Sequence, residues 1–439
     1  MNKTRVTKLI ASALLACCVG VQPAEAATEK LKVFILAGQS NMVGHSNGHT
    51  MGTLFNADGP TDEALIDLVF GKDSKLSQKR YDETLALGKE LNELTGGIGE
   101  NKIKEITVAA EKETAQAKAE KIKAALEAYK KDVVEASAVS DRVYINSIAD
   151  NNRKSGQLAV GFGANPSKIG PEYAFGLSIA EKIDGPILLI KTSWGGKSLH
   201  YDFRPPSLPD YKETEGYQDY LESVKKYEAD LAAYEEVMKS ADEEAKKKLR
   251  KPGQPRVVDP AKAGHFWREM VKQVNTVLAD PKAAHPGYDP DAGYEIAGFV
   301  WFQGFNDQFS DDFKNNYQDN MVAFIKDIRR EYKTPQLPFV IGVLGTSQTK
   351  EKVGENAVSV AQRAAAALPE FKGNVMAVES YTEYALDSLE VYNAGWQRNY
   401  YVWDLVGSDR PYHYLGAGKF FVRLGNAFAS AMAGMIPRQ

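Results

Sequence analysis

Residues 31–42 read Leu-Lys-Val-Phe-Ile-Leu-Ala-Gly-Gln-Ser-Asn-Met, and this stretch decides the fold. Leu31–Ala37 is a short, almost unbroken apolar run rich in β-formers, the pattern of a strand buried on both faces of a parallel sheet. The chain then turns through Gly38 and places Ser40 at the strand's C-terminal end, the edge where open α/β sheets bind ligands. A serine in that turn can present its hydroxyl as a nucleophile while nearby backbone N–H groups receive a developing oxyanion. It can equally serve as the cap of a following helix.

Four further runs resemble the first: Ile187–Lys191, Ile296–Phe302, Phe339–Leu344 and Asn374–Glu379. Each is far enough from the next for a crossover helix. Most are followed by small polar residues, as in Thr-Ser-Trp-Gly-Gly, Gln-Gly-Phe-Asn-Asp and Gly-Thr-Ser. Glycine and asparagine make ordinary turns, but four such loops on one edge favour a site. The expected fold is a three-layer α/β/α sandwich around a central, mostly parallel sheet.

The chain has 439 residues, 26% charged and 43% hydrophobic, with a formal charge of −4. That composition describes a soluble globular protein, and without a basic patch it argues against nucleic acid as the main partner. The start of the chain reads as an export signal. Lys3, Arg5 and Lys8 precede an apolar segment from Leu9 to Val21, and Ala24-Glu25-Ala26 offers a cleavage site, which places the mature protein from residue 27 onward. The apolar segment is too short for a transmembrane span. Both cysteines, Cys17 and Cys18, fall inside it. A mature chain would then have no disulfide, thiolate nucleophile or cysteine-bound metal. Leu14-Leu15-Ala16-Cys17 also fits a lipoprotein box, the alternative in which Cys17 is lipidated.

Two stretches differ from the rest and suggest helical insertions at about 52–145 and 207–256. Ile103–Glu135 is dense in Ala, Lys and Glu without Gly or Pro, which predicts a long, exposed, ion-pair-laced helix. Tyr211–Leu249 carries Tyr217, Tyr220, Val224, Tyr227, Leu231 and Tyr234 at three- and four-residue spacing. That stripe is expected to pack on the sheet domain or on the first insertion.

A serine nucleophile needs a base, most often histidine. His45 and His49 follow Ser40 so closely that the intervening turn is expected to carry them away. His265 falls in a helical pattern and His285 in a proline-rich loop, while His200 follows Trp194-Gly195-Gly196 and could line the cleft. His413 has the best context. It follows Ser408-Asp409-Arg410-Pro411-Tyr412 in a loop, ahead of an amphipathic helical pattern from Tyr414 to Met435.

At this point the chain resembles the SGNH-type hydrolases, specifically the sialate O-acetylesterase-like branch that includes acetylxylan esterases. The resemblance rests on Gly38–Met42 (GQSNM), Ile169-Gly170-Pro171-Glu172 with Phe175-Gly176, Trp194–Ser198, and Trp301-Phe302-Gln303-Gly304-Phe305-Asn306-Asp307. It extends from residue 31 to about 430, interrupted by the insertions. It implies Ser40 as nucleophile and His413 as base. Oxyanion donors would come from the Ser40 and Gly170 N–H groups and a side-chain amide, Gln303 or Asn306. Gln39, Asn41, Trp194, Gly196 and Arg204 would contact substrate. The chain departs from the family in two places. Phe305 stands where many members of the branch have glutamate. Arg410 stands where an aspartate usually lies three residues before the histidine. The triad acid is therefore Asp409, Asp307 or absent.

The resemblance implies an exported ester hydrolase that removes O-acetyl groups from a carbohydrate, with no metal or organic cofactor. The alternatives are a catalytically silent carbohydrate-binding protein that stacks sugars on Trp194, Trp301 and Tyr412, or an esterase or thioesterase for longer acyl chains. The acetylated carbohydrate is the only partner implied, and the sequence leaves the oligomeric state open.

Overall fold

The computed structural model describes residues 29–255 and 257–436. The export signal and its two cysteines lie outside the described residues. A seven-stranded sheet is built from β1 (Leu31–Gly38), β2 (Val143–Ala149), β3 (Asn152–Gln157), β4 (Ile187–Ser193), β5 (Tyr294–Phe302), β6 (Phe339–Val343) and β7 (Val375–Glu379). The spatial order is β3-β2-β4-β1-β5-β6-β7. Every pairing is parallel except that of β3 with β2. The principal helices are α1 (Ser40–Val43), α2 (Ala109–Ala136), α3 (Pro171–Ala180), α4 (Glu215–Ser240), α5 (His265–Leu278), α6 (Tyr317–Glu331) and α7 (Gly418–Met435).

The alternation along β1 builds the three layers. Phe34 and Leu36 enter a core with Phe175 of α3 and Phe420 and Phe428 of α7. Val33, Ile35 and Ala37 face the other way, into a core with Trp267 and Met270 of α5 and Phe324 of α6. A strand buried on both faces needs apolar residues throughout, and β1 has them from Val33 to Ala37.

All five strands expected from the sequence are present. Two were missed, and one of them lies in a stretch read as insertion: residues 143–145 of the expected 52–145 segment open β2. β2 interrupts its apolar pattern with Asn146 and Ser147. β3, Asn-Arg-Lys-Ser-Gly-Gln, is wholly polar, as an edge strand exposed to water tends to be.

The two charged stretches are helical, with one difference each from expectation. α2 is not uniformly exposed, because Ala119, Ile122, Leu126, Tyr129 and Val133 are buried. Their three- and four-residue spacing is an apolar stripe, and it packs against Gln78–Thr95 and Gly48–Phe55. α4 has no buried residue. Its first turns touch the body: Tyr217 meets Tyr211 at 6.0 Å between ring centroids, and the Gly216 N–H donates to Asp312. Its stripe from Tyr217 to Tyr234 is half-buried along its length and does not reach the core. No described helix is long and apolar enough to cross a membrane.

Candidate active site

Three adjacent strands, β4, β1 and β5, end at one level, since Gly38 of β1 pairs with both Ser193 and Phe302. Their C-terminal loops converge as the floor of the site. Gly38 permits this convergence: a Cβ there would lie 2.1 Å from the Phe302 carbonyl oxygen. Ser40 opens α1 and is 8% exposed. The first N–H groups of any helix have no acceptor within it, so the Ser40 turn supplies donors at the strand end. The Gln39 side chain ties this turn to the β5 loop. Its Oε1 accepts from the Gly304 and Asn306 N–H groups at 3.1 and 3.4 Å, and its Nε2 donates to Asn306 Oδ1 at 3.2 Å. Asn41 Nδ2 donates to the Tyr412 carbonyl at 3.2 Å, so the residue after Ser40 holds the residue before His413.

The loop from Ser408 to Gly416 closes on itself: the Ser408 and Asp409 N–H groups both donate to the Leu415 carbonyl. Tyr414 and Leu415 adopt positive φ angles of 48° and 65°, conformations that cost non-glycine residues energy and cluster at functional sites. At its centre is Asp409. One carboxylate oxygen lies 3.2 Å from His413 Nδ1 and the other 3.2 Å from His45 Nδ1. The two imidazoles stack at 4.0 Å between centroids with 8° between planes. The His413 contact is an ion-pair approach rather than an aligned hydrogen bond. Such bonds often tighten only when substrate binds. The Arg410 N–H adds a 2.8 Å bond to the carboxylate, and Lys168 stands 3.9 Å away. Burial pushes the Asp409 carboxyl up, but His413, His45 and the Arg410 N–H outweigh it and hold the group far below the usual carboxylate range. Burial pulls the His45 imidazole down, against the attraction of Asp409 and with the repulsion of His413 and Lys168.

His45 is the residue the sequence reading placed elsewhere. α1 is a single turn, and it stops at Gly44, whose φ of 89° reverses the chain. A Cβ on Gly44 would also lie 2.4 Å from the Gly170 backbone. The reversed chain runs beside the 408–416 loop, where Ser408 Oγ accepts from the Asn47 N–H. The available signal was Gly44, the residue best able to end a helix so early.

The amide donors separate clearly. Gln303 Nε2 donates to the Lys197 carbonyl at 2.9 Å and to Asp307 Oδ2 at 2.5 Å, which uses both its N–H bonds. Asn306 gives one N–H to the Gly196 carbonyl at 2.9 Å and keeps the other. The Gly170 N–H donates to Glu172 Oε1 at 2.9 Å within the protein interior, so it does not face the site. Asp307 is fully buried and accepts from the Leu199 and His200 N–H groups as well as Gln303. Burial pushes its carboxyl up to about 7 despite those donors. Its two oxygens hold the 197–200 loop, and it makes no contact with His413, which removes it as the triad acid.

The other expected residues scatter. Arg204 donates to the carbonyls of His200 and Pro209 and is a loop clamp rather than a substrate contact. His200 is buried against Phe313, with Asn320 and Asp312 at its two nitrogens, and burial takes it down to about 4. His49 meets the Asp404 carbonyl. Trp194 packs between Phe203 and Phe266. Trp301 is fully buried and unavailable for stacking on a ligand. Gly196, at φ 69°, stays with Asn306 on the floor.

Behind the nucleophile turn sits a buried ion pair. Lys191 Nζ donates to Glu172 Oε2 at 2.8 Å, to the Val43 carbonyl at 2.8 Å and to the Phe162 carbonyl at 2.9 Å. All three ammonium protons are thus used. Burial pulls the Lys191 amine down, against the charge of Glu172. Through Val43 this pair anchors the end of α1.

Residues 255–387 match the family model described as SASA: carbohydrate esterase, sialic acid-specific acetylesterase. The matched segment contains the whole β5 loop, with Gln303, Asn306 and Asp307, and it agrees with the motif pattern on either side. Over those residues the chain resembles the sialate O-acetylesterases. Ser40 and His413 lie outside the matched residues. No curated protein matches the chain. Among solved structures, a protein from Arabidopsis thaliana is similar over 92% of this chain and 98% of its own, at 14% identity and a TM-score of 0.40. The carbohydrate acetylesterase XAC1771 from Xanthomonas citri is similar over 79% of this chain and 49% of its own, at 11% identity and a TM-score of 0.33. NanS is similar over 80% and 78%, also at 11% and 0.33. Likenesses this low transfer no residue role.

Proposed function

We propose that the protein is an exported serine ester hydrolase that removes O-acetyl groups from a carbohydrate through an acyl-enzyme. The observation that carries this reading is the Asp409–His413 pair, tied through Tyr412 and Asn41 to the turn that presents Ser40. His413 Nε2 takes the Ser40 proton as Oγ attacks the ester carbonyl, and Asp409 stabilises the imidazolium that forms. The proton then passes to the departing sugar oxygen. Water, deprotonated by the same imidazole, releases acetate and restores the serine. The Ser40 N–H and the remaining Asn306 N–H are the oxyanion donors. Gly196, whose carbonyl is bound to Asn306, takes the backbone-donor role expected of Gly170. Export with cleavage after Ala26 completes the proposal, and N-terminal sequencing of the secreted protein tests it.

Residues 27–439 should release acetate from p-nitrophenyl acetate and from members of an acetylated-glycan panel, followed by mass spectrometry. Ser40→Ala should abolish both. Unchanged release by Ser40→Ala overturns the serine mechanism, and a preference for long-chain esters overturns the acetyl assignment.

A further inference from the structure

Three aromatic rings form a row that begins at the candidate base and runs outward. Tyr412 meets the His413 ring at 4.5 Å, Phe305 lies 6.0 Å from Tyr412, and Phe309 lies 5.2 Å from Phe305. Phe309 is 71% exposed and Tyr412 45%. Large apolar side chains in water forgo the stabilisation that burial gives them. Scattered single cases need no explanation, but adjoining rings beside a site do.

The row stands on the site's own framework. Phe305 lies between Gly304 and Asn306, whose N–H groups both bind Gln39 Oε1. The Tyr412 carbonyl is held by Asn41. The two tryptophans expected to stack on sugars are committed to the interior or to neighbouring rings. Phe305 also occupies the position where the resemblance expects glutamate, so this chain has an apolar ring there in place of a carboxylate.

We propose that Tyr412, Phe305 and Phe309 form the platform on which a pyranose ring of the acetylated carbohydrate lies. This rests on the esterase reading of the same site. One face of a pyranose presents C–H bonds with partial positive charge, which match the negative face of an aromatic ring. The exposed end, Phe309, reaches beyond the ring that carries the ester and takes the next sugar of an oligosaccharide. A long acyl chain would instead call for an enclosed apolar groove, and these rings stand open to solvent.

Phe309→Ala is the cleanest probe, since among the described residues the only ring Phe309 meets is Phe305. The quantity to measure is kcat/KM for an acetylated xylo-oligosaccharide divided by kcat/KM for ethyl acetate, which has no ring to stack. Phe309→Ala should lower that ratio about fivefold, the effect of losing one stacked ring, mainly through KM. Phe309→Trp should restore it. An unchanged ratio overturns the platform, as does a loss confined to long-chain esters. Titration calorimetry of the same oligosaccharide with Ser40→Ala and with Ser40→Ala/Phe309→Ala separates the two ideas. If the wild-type protein cleaves nothing but binding still falls with Phe309, the platform stands and the esterase reading fails. Equal binding by both variants overturns the platform whatever the activity.

Discussion

At the scale of single residues, Asp409 divides one negative charge between two imidazoles, and this makes opposite predictions for its neighbours. Removing His45 leaves the whole carboxylate facing His413 and takes away a nearby ring that would repel its positive charge. His45→Ala should therefore keep most of the turnover, because the Asp409–His413 contact remains. In Asp409→Asn the imidazolium loses its counter-charge. Turnover then falls by orders of magnitude. Turnover measured on the two variants checks both; equal losses would break the shared-carboxylate account. The two amides give a second test. Asn306→Ala should lower turnover about a hundredfold, the usual effect of an oxyanion donor. Gln303→Ala should instead act on stability, by about 1–3 kcal/mol in urea unfolding, because it leaves buried Asp307 short of a donor. Roles of this kind were only partly legible in the sequence. Ser40, Asn306 and His413 stand in readable motifs. What no motif could reveal is that the Gln303 amide turns inward to Asp307, or that one glycine brings His45 back beside His413.

At the scale of elements, apolar runs announced four strands buried on both faces, where burial leaves little room for polar residues, and the apolar edge strand β7. β3 escaped notice because it is the sheet's exposed edge, where the polar run 152–157 satisfies the backbone pairing without an apolar signature, and β2 beside it is buried but breaks its apolar pattern with Asn146 and Ser147. α2 and α4 look alike in composition yet differ in role. The stripe of α2 is buried, while the tyrosines of α4 are only half-buried along a helix of 26 residues, roughly 39 Å long. Replacing residues 215–249 with a short Gly-Ser bridge, and keeping the buried Tyr211, should leave hydrolysis of ethyl acetate within about twofold of wild type, because surface loops tolerate changes in length. Loss of that activity in a variant with native circular dichroism would show that α4 shapes the site.

At the scale of the whole molecule, the site depends on a charge pair the solvent never reaches. Lys191→Met strands the Glu172 carboxylate and should cost about 3–5 kcal/mol in urea unfolding, whereas Lys191→Met combined with Glu172→Leu should recover most of it. Failure of the double variant to recover would mean that the Val43 and Phe162 carbonyls, not the charge, matter most. The projecting α4 has a separate consequence. It sits in the connection between β4 and β5, so a nick there divides the sheet into β1–β4 with Ser40 and β5–β7 with Asp409 and His413. The halves remain zipped along the eight-residue register of β1 with β5. Limited proteolysis near residue 250 should therefore yield two fragments that co-elute on gel filtration and still turn over substrate. Separated in urea and remixed, they should recover activity only as they find one another, which makes the enzyme its own reporter of fragment complementation.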